Sequence, residues 1–368
     1  MRVLHVITGL GVGGAERQLR ALLRQLRERH PAATCEVVAL TNPGPVAREL
    51  AADGVRVDHL GMTGNRDLRA LPRLARLIRR GRYDVVHTHL YRACVYGRIA
   101  ARLAGVRAVV ATEHSLGERL IEGRPIGRGN QALYLATERL GAATVAVSGA
   151  VATRLRAWGV PADRIRLVPN GIEPARFHFD QERRGEVRAR LGLAGLPPDA
   201  LVVGGVGRLV PGKGFDVLLR AAVPLPRVRL VVAGAGPELP ALRRLARRLG
   251  LADRVVFPGE CEAPGLLSAL DVFVSCSTEE TFGLAVLEAL AAGLPVLHVT
   301  CPAVDELPRH EAPGARRLAP SVGELTHALR GELARGARRL PVPAAVHRYD
   351  IARAADRLLD VYQEVCPR

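Results

Sequence analysis

Residues 271–299 read DVFVSCSTEETFGLAVLEALAAGLPVLHV. A short apolar run, 271–276, leads into a polar turn. The turn opens an apolar helix ending at Gly293, and a second apolar run, PVLHV, comes after it. Two short apolar runs joined through a helix read as parallel strands covered on both faces. Between Thr281 and Val304 the only formally charged residue is Glu288. A buried carboxylate without partners is costly, so Glu288 reaches solvent or serves a polar ligand. Glu280 lies eight residues earlier, at the mouth of the same helix. Two carboxylates flanking a helix start, on a loop leaving a strand, mark a candidate site.

The same alternation extends in both directions. Toward the amino terminus, strands are expected at 2–8, 35–40, 55–60, 84–89, 107–114, 143–148 and from 165. Helices are expected to about Arg29 and at 67–81, 92–104 and 149–158. Segment 116–131 is Gly-rich and polar and reads as a mobile loop before a helix to about Leu140. Over 171–199 the composition becomes charged, with Pro and Gly, as expected of an interdomain connection carrying one helix. Alternation restarts at 201–208, with helices at 214–221, 238–249 and 264–269, strands at 229–236 and RVVFPGE between them, and PVLHV as the final strand. From Asp350 the chain is one amphipathic helix. The expected fold is α/β, two Rossmann-like doubly wound domains at 1–170 and 171–349, with 350–368 as a terminal helix. Ligands bind such sheets at the carboxyl ends of strands, where the strand order reverses. In a tandem arrangement that places the site in a cleft between the domains.

The bulk properties agree. A chain of 368 residues suits two domains of about 150–200 residues each. No run of about 18 apolar residues occurs, and residues 1–30 hold six arginines and two glutamates, so neither a signal peptide nor a transmembrane helix is expected. Six cysteines without CxxC spacing read as reduced thiols, which points to the cytoplasm. The net charge is +17, yet 52 of the 53 basic residues are arginine, so part of the basicity is compositional. Aromatic residues are 4%, too few for a base-stacking platform, and no nucleic-acid partner is expected. Within Arg66–Arg82, Arg69, Arg73, Arg76 and Arg80 share a helical face. That face reads either as a peripheral contact with anionic lipid at the inner membrane surface or as a solvated face.

Two glycine-rich turns come directly after strands. The first holds Gly9, Gly11 and Gly14, formally a dinucleotide fingerprint. The second strand ends Ala39-Leu40-Thr41-Asn42, without the acidic residue that NAD needs, so this turn reads as a phosphate- or sugar-proximal loop or a plain tight turn. The other runs Gly207-Arg208-Leu209-Val210-Pro211-Gly212-Lys213-Gly214 and contains the only lysine of the chain. Arginine grips phosphate in bidentate fashion and lysine adds a point charge. Both suit a diphosphate at the helix mouth near Phe282, Gly283 and Leu284. Glu288 then suits ribose hydroxyls, and Glu280 a sugar carried on the diphosphate.

With these residues in place, the chain resembles a retaining glycosyltransferase of the GT-B fold, family four. The resemblance rests on Glu280 and Glu288 as an E-x7-E element, G-R-L-V-P-G-K-G-F-D from Gly207, V-P-N-G-I-E from Val168 and G-G-A-E at Gly13–Glu16. It implies a metal-independent, hexosyltransferase-type enzyme. The second domain would bind the nucleotide-diphosphate sugar, a UDP-sugar before a GDP-sugar, and the first mainly the acceptor: a glycan, a lipid-linked or a small-molecule hydroxyl. The last helix would cross back onto the first domain. Gly13 and Gly14 would approach the donor, and His114, in T-E-H-S, would contact the donor sugar. His89 is placed on the acceptor side and His87 inside the fold. His-x-His raises metal binding, but no third ligand shows clear spacing and no Asp-x-Asp occurs, so no metal and no resident cofactor are expected. Residues 300–308 depart from the family pattern, and no role is given to Asp305 or Glu306.

In the implied chemistry the leaving phosphate oxygen takes the acceptor proton on the same face, so no enzyme nucleophile is required. Arg208 and Lys213 would stabilise the diphosphate, with Glu280 and His114 orienting the sugar. A nucleotide-sugar epimerase or hydrolase on the same fold, or a non-catalytic sugar-nucleotide-binding protein, are the alternative readings.

Overall fold

The computed structural model describes residues 1–118, 120–122 and 124–367. The chain forms two compact units, Met1–Gly171 with Tyr349–Arg368, and Ile172–Arg348. The strands are β1 (Arg2–Ile7), β2 (Thr34–Ala39), β3 (Arg56–His59), β4 (Val85–His89), β5 (Val109–Glu113), β6 (Leu120–Ile121), β7 (Arg124–Pro125), β8 (Ala143–Ala146), β9 (Ile165–Leu167), β10 (Leu201–Val206), β11 (Val228–Ala233), β12 (Val255–Gly259), β13 (Val272–Ser275), β14 (Val296–His298) and β15 (Ala315–Arg317). The first unit holds a seven-stranded sheet in the order β3-β2-β1-β4-β5-β8-β9. The second holds a six-stranded sheet, β12-β11-β10-β13-β14-β15. Every pairing in both sheets is parallel. The order reverses between β1 and β4 in one sheet and between β10 and β13 in the other, and these are the two switch points.

Period-two alternation decides which face each strand residue serves. Val3 and Ile7 of β1 pack with helix Gly14–Arg29 and with the last helix, Ile351–Val365. Leu4 and Val6 face the other way, into the layer formed by helices Ala70–Gly81 and Tyr91–Leu103. The last helix starts at Asp350, whose carboxylate accepts the Ala352 N–H at 2.9 Å. Its buried positions include Ile351, Ala355, Leu358 and Tyr362, a stripe at three- and four-residue spacing. Each large aliphatic side chain so buried contributes about 1.5–3 kcal/mol.

Three expectations differ from the structure. PVLHV is not the final strand, because β15 pairs in parallel with β14; its two arginines hid it from apolar pattern reading. Segment 116–131 is not a bare loop. Leu116 bridges Ile121, both are buried, β6 and β7 form a small antiparallel hairpin, and a helix begins at Arg128. Its glycines suggested looseness, but two apolar anchors hold it. Arg119 and Gly123 of that segment lie outside the described residues. A helix at Gly44–Ala52 also interrupts what read as plain connection between β2 and β3.

Candidate functional site

In the Ile172–Arg348 unit, the loops after β10 and β13 meet at the switch point. Pro211–Lys213 makes one 3-10 turn, and Gly214 comes next with φ +64°. A Cβ at Gly214 would strike the carbonyl and side chain of Cys276, so glycine lets this loop lie against the end of β13. Ser277 Oγ and the Thr278 N–H both donate to the Gly212 carbonyl, each at 3.3 Å. This docking sets Lys213 Nζ at 2.6 Å from Glu280 Oε2. The sequence assigned these two to different parts of a ligand; here each is the other's partner. Their side chains are 29% and 20% exposed, so the pair is worth at most about 1 kcal/mol and an incoming anion can open it. Arg208 is exposed and makes no ion pair among the described residues.

Helix Leu284–Ala291 begins at Gly283, with φ +106°, where a side chain would collide with Cys301 Sγ. Gly283 offers no capping side chain, so the helix mouth keeps its partial positive charge. Leu284, Ala285 and Glu288 are the half-buried positions of this helix and share one face. Glu288 therefore stands one turn along the face that opens at the mouth. The Phe282 ring is buried, and its carbonyl accepts the Ala303 N–H at 2.9 Å. The unusual 300–308 loop is held in shape by Asp305. Its carboxylate accepts the Cys301 N–H at 2.8 Å and pairs with His298 Nε2 at 3.0 Å. Burial works to raise the Asp305 carboxyl, but these hydrogen bonds and the charge of Arg317 outweigh it and hold it below the usual range.

In the first unit, Gly13 is extended, with φ −151°, and precedes helix Gly14–Arg29 without a side-chain cap. Beside it, β1, β4 and β5 place imidazoles on one sheet face. Register pairs His5 with His87 and Ile7 with His89. His87 and His89 sit two apart, so alternation puts them on the same face as each other. All four of His5, His87, His89 and His114 are buried. His5 Nδ1 lies 3.0 Å from His89 Nε2, and His89 Nδ1 lies 3.1 Å from His114 Nε2. His87 is held by Tyr362 Oη and Thr112 Oγ1, each at 2.6 Å. His89, expected on the acceptor side, is thus 1% exposed and joined to two other imidazoles. Burial lowers His5 to about 3 and His114 to about 4. Burial, reinforced by neighbouring imidazoles, also drives His87 and His89 well below 6.5.

Sequence reading missed His5, Thr112 and Tyr362. The one local signal was a histidine at a core-facing position of the apolar run RVLHVIT. His5 is the third imidazole that the His-x-His pair lacked, and nitrogens of His5, His87 and His89 lie within 4.8 Å of one another. That donor set suits a transition metal. Here, however, His5 and His89 bond to each other and both His87 nitrogens are engaged by hydroxyls. On helix Ala70–Gly81 and its flanks, Arg66, Arg69, Arg73, Arg76, Arg79, Arg80 and Arg82 are all exposed.

A family model described as Glycosyltransferase Family 4 matches residues 12–176, and one described as Glycosyl transferases group 1 matches residues 200–334. The chain is 34% identical over 321 residues to D-inositol 3-phosphate glycosyltransferase of Acidothermus cellulolyticus, covering 77% of this chain and 68% of the relative. It is 37% identical over 243 residues to D-inositol 3-phosphate glycosyltransferase 2 of Catenulispora acidiphila, covering 59% of this chain and 55% of that protein. It is 33% identical over 254 residues to the GDP-mannose-dependent alpha-(1-6)-phosphatidylinositol monomannoside mannosyltransferase of Mycobacterium tuberculosis, covering 61% of this chain and 62% of that one. The chain thus spans little more than half to two thirds of these relatives. Among solved structures, Anabaena HepE in complex with UDP and glucose superposes with a TM-score of 0.85 at 23% identity, covering 99% of this chain and all of that one. That likeness establishes the same two-unit GT-B architecture.

Proposed function

The chain belongs to glycosyltransferase family 4, and from that premise we propose that it transfers a sugar from a nucleoside-diphosphate donor to a hydroxyl acceptor, with retention and without a metal. The observation that carries the reading is the Lys213–Glu280 pair beside an uncapped helix start bearing Glu288 one turn on. A diphosphate takes the ammonium of Lys213 and the guanidinium of Arg208, and the N–H groups at Leu284 complete the cradle. Glu280, released from Lys213, accepts hydrogen bonds from the sugar, and Glu288 accepts them from ribose. The fixed positive groups stabilise charge on the departing diphosphate, whose oxygen receives the acceptor proton. In the other unit, Gly13 and Gly14 allow close backbone approach to the donor, and His114 contacts the sugar.

For the acceptor we propose a cyclitol hydroxyl, on an inositol phosphate or an inositol-containing lipid, since the relatives' names share that class. For the donor we set UDP-sugar and GDP-sugar side by side: the mannosyltransferase is named for GDP-mannose, and the Anabaena protein holds UDP. Peripheral contact with anionic lipid is favoured by one observation. Leu68 and Leu103, 68% and 57% exposed, lie among the exposed arginines, and Arg79 bonds the Leu103 carbonyl at 2.7 Å. None of the helices among the described residues is long and apolar enough to cross a membrane.

The test is a thermal-shift panel of UDP, GDP, ADP, TDP and NAD, with and without Mg2+, followed by transfer assays on inositol phosphate. Stabilisation by a nucleoside diphosphate, independent of Mg2+, is expected. Stabilisation by NAD alone ends the transferase reading, and donor breakdown without acceptor turns it into a hydrolase.

A further inference from the structure

The loop after β14 grips the mouth of helix Leu284–Ala291 from behind. We propose that His298, Asp305 and Cys301 are positioning residues that hold the Phe282–Gly283 peptide with its N–H turned toward the donor diphosphate. The proposal rests on the reading of that helix mouth as the diphosphate cradle, and it gives a role to the 300–308 segment.

Two donors fix that peptide. The Phe282 carbonyl accepts the Ala303 N–H at 2.9 Å and the Cys301 thiol hydrogen, with Sγ 3.4 Å away. In a trans peptide the N–H points opposite the carbonyl, so the Gly283 N–H faces away from residues 301–303. The Gly283 carbonyl accepts the Val286 N–H at 3.1 Å, so the Leu284 N–H points out of the helix start. Gly283 makes the hold necessary. A Cβ there would strike Cys301 Sγ, and a peptide bordering glycine turns more freely than one between larger residues. The thiol that excludes a side chain at Gly283 is thus also one of the two groups that keep the peptide from turning. Burial, reinforced by the charge of Glu280, pushes the Cys301 thiol above its ordinary value, so it keeps its hydrogen and can donate.

Cys301 is placed from its other side. Its N–H donates to Asp305 Oδ2 at 2.8 Å, and the Asp305 N–H donates back to the Cys301 carbonyl at 2.8 Å. A carboxylate can only accept, so His298 Nε2 donates to Asp305 Oδ1, 3.0 Å away. His298 is buried at the end of β14, which anchors the brace in the sheet. Thr300 Oγ1 donates to the Thr278 carbonyl at 3.3 Å, and the Thr278 N–H bonds the Gly212 carbonyl. The same loop therefore ties the helix mouth to the turn that carries Lys213. His298, Asp305 and Cys301 act in series on the Phe282–Gly283 peptide, without touching the ligand.

The test measures, on the full chain, kcat for transfer and its inhibition by UDP and GDP and by uridine and guanosine. Asp305→Leu removes the acceptor at similar volume. It is expected to weaken the diphosphate about tenfold and to lower kcat about tenfold, with the nucleoside within about twofold, because the ribose position at Glu288 is untouched. Asp305→Asn keeps an acceptor for the Cys301 N–H and is expected to bring both values back to within about threefold of wild type. His298→Ala is expected to fall between the two, and to add nothing further to Asp305→Leu, since the residues act in series. Should Asp305→Leu fail to fold, Cys301→Val, which fills the space but sets a branch against Gly283, is expected to give the same loss confined to the diphosphate. Cys301→Ser, a small donor, is expected to retain binding. The inference is overturned if nucleoside and diphosphate weaken together, which marks a merely structural role, or if the losses from His298→Ala and Asp305→Leu add. It is also overturned if Asp305→Leu or Cys301→Val leaves diphosphate affinity and kcat within twofold of wild type. Lys213→Ala distinguishes that failure from failure of the site: if it abolishes diphosphate binding while Asp305→Leu does not weaken it, the cradle stands and only the brace falls. A wild type that binds neither diphosphate overturns both.

Discussion

The two switch points are made of opposite materials. At β10 and β13 the polar groups are charged and partly or fully exposed, with Lys213 paired to Glu280 and Arg208 without an ion pair among the described residues. At β1 and β4 they are neutral, buried and joined in series, from His5 through His89 to His114. An exposed ion pair is cheap to open, so the first arrangement suits an anionic ligand that arrives with its own charge. A buried neutral chain cannot take up charge at low cost, and suits fixed orientation of an uncharged group such as a sugar.

The sharpest way to break this contrast is at Lys213. Lys213→Ala is expected to remove diphosphate-dependent thermal stabilisation and to lower kcat/KM by about 100- to 1000-fold, as loss of a charge-stabilising donor does. Nucleotide binding that survives the change would take Lys213 out of the site.

Acid should divide the units next. His5 and His114 have folded values of about 3 and 4, below the 6.5 of the unfolded chain, so between those values the unfolded state binds more protons. Stability from the buried neutral rings is complete above 6.5 and declines as pH falls, by about 1.4 kcal/mol per pH unit for each ring. Asp305, held below 3.8, keeps its contribution until the pH falls through that lower region. The only tryptophan, Trp158, lies in the first unit. Denaturant midpoints followed by its fluorescence should therefore drop between pH 7 and pH 5, and His5→Asn should flatten that slope by about one proton. A midpoint constant across this range would show that the rings are already protonated or hydrated.

Glu288→Gln is expected to weaken UDP or GDP binding about tenfold while Lys213→Ala remains epistatic to it, measured by calorimetry; equal affinity would return Glu288 to a solvated role. The smallest effect concerns the arginine face. Changing Arg73, Arg76 and Arg80 to Ser should leave stability within about 0.5 kcal/mol. It should reduce co-sedimentation with anionic vesicles, and unchanged co-sedimentation would dismiss membrane docking.

The contrast also governs what could be read from the chain. Arg208, Lys213, Glu280 and Glu288 stand within two short segments, each placed just after a strand, so local spacing exposes them. His5 is separated from His87 by the whole of β2, β3 and the helices between, and only parallel pairing across β1 and β4 makes them neighbours. Tyr362 comes from still further along the chain, on the helix that covers that face. The alternation of apolar runs revealed both sheets. It failed at β15, an edge strand whose two arginines are exposed and give no apolar signal, and where two anchors, Leu116 and Ile121, held a glycine-rich segment in shape. The Lys213–Glu280 pair was likewise out of reach, because spacing shows that two groups are close without showing that they meet.

The return of the last helix to the first unit has a consequence for synthesis. Residues 172–348 form a continuous segment with its own core and can close while the ribosome still holds the terminal helix. The first unit must wait, because the face bearing Val3, Ile7 and His87 is covered by Ile351–Val365. At about 5–20 residues per second, that covering helix is complete only roughly 10–40 s after residue 171 has been made. During that interval the part of the face that helix Gly14–Arg29 does not cover stays open, and a chaperone that shields it would raise the yield of folded protein.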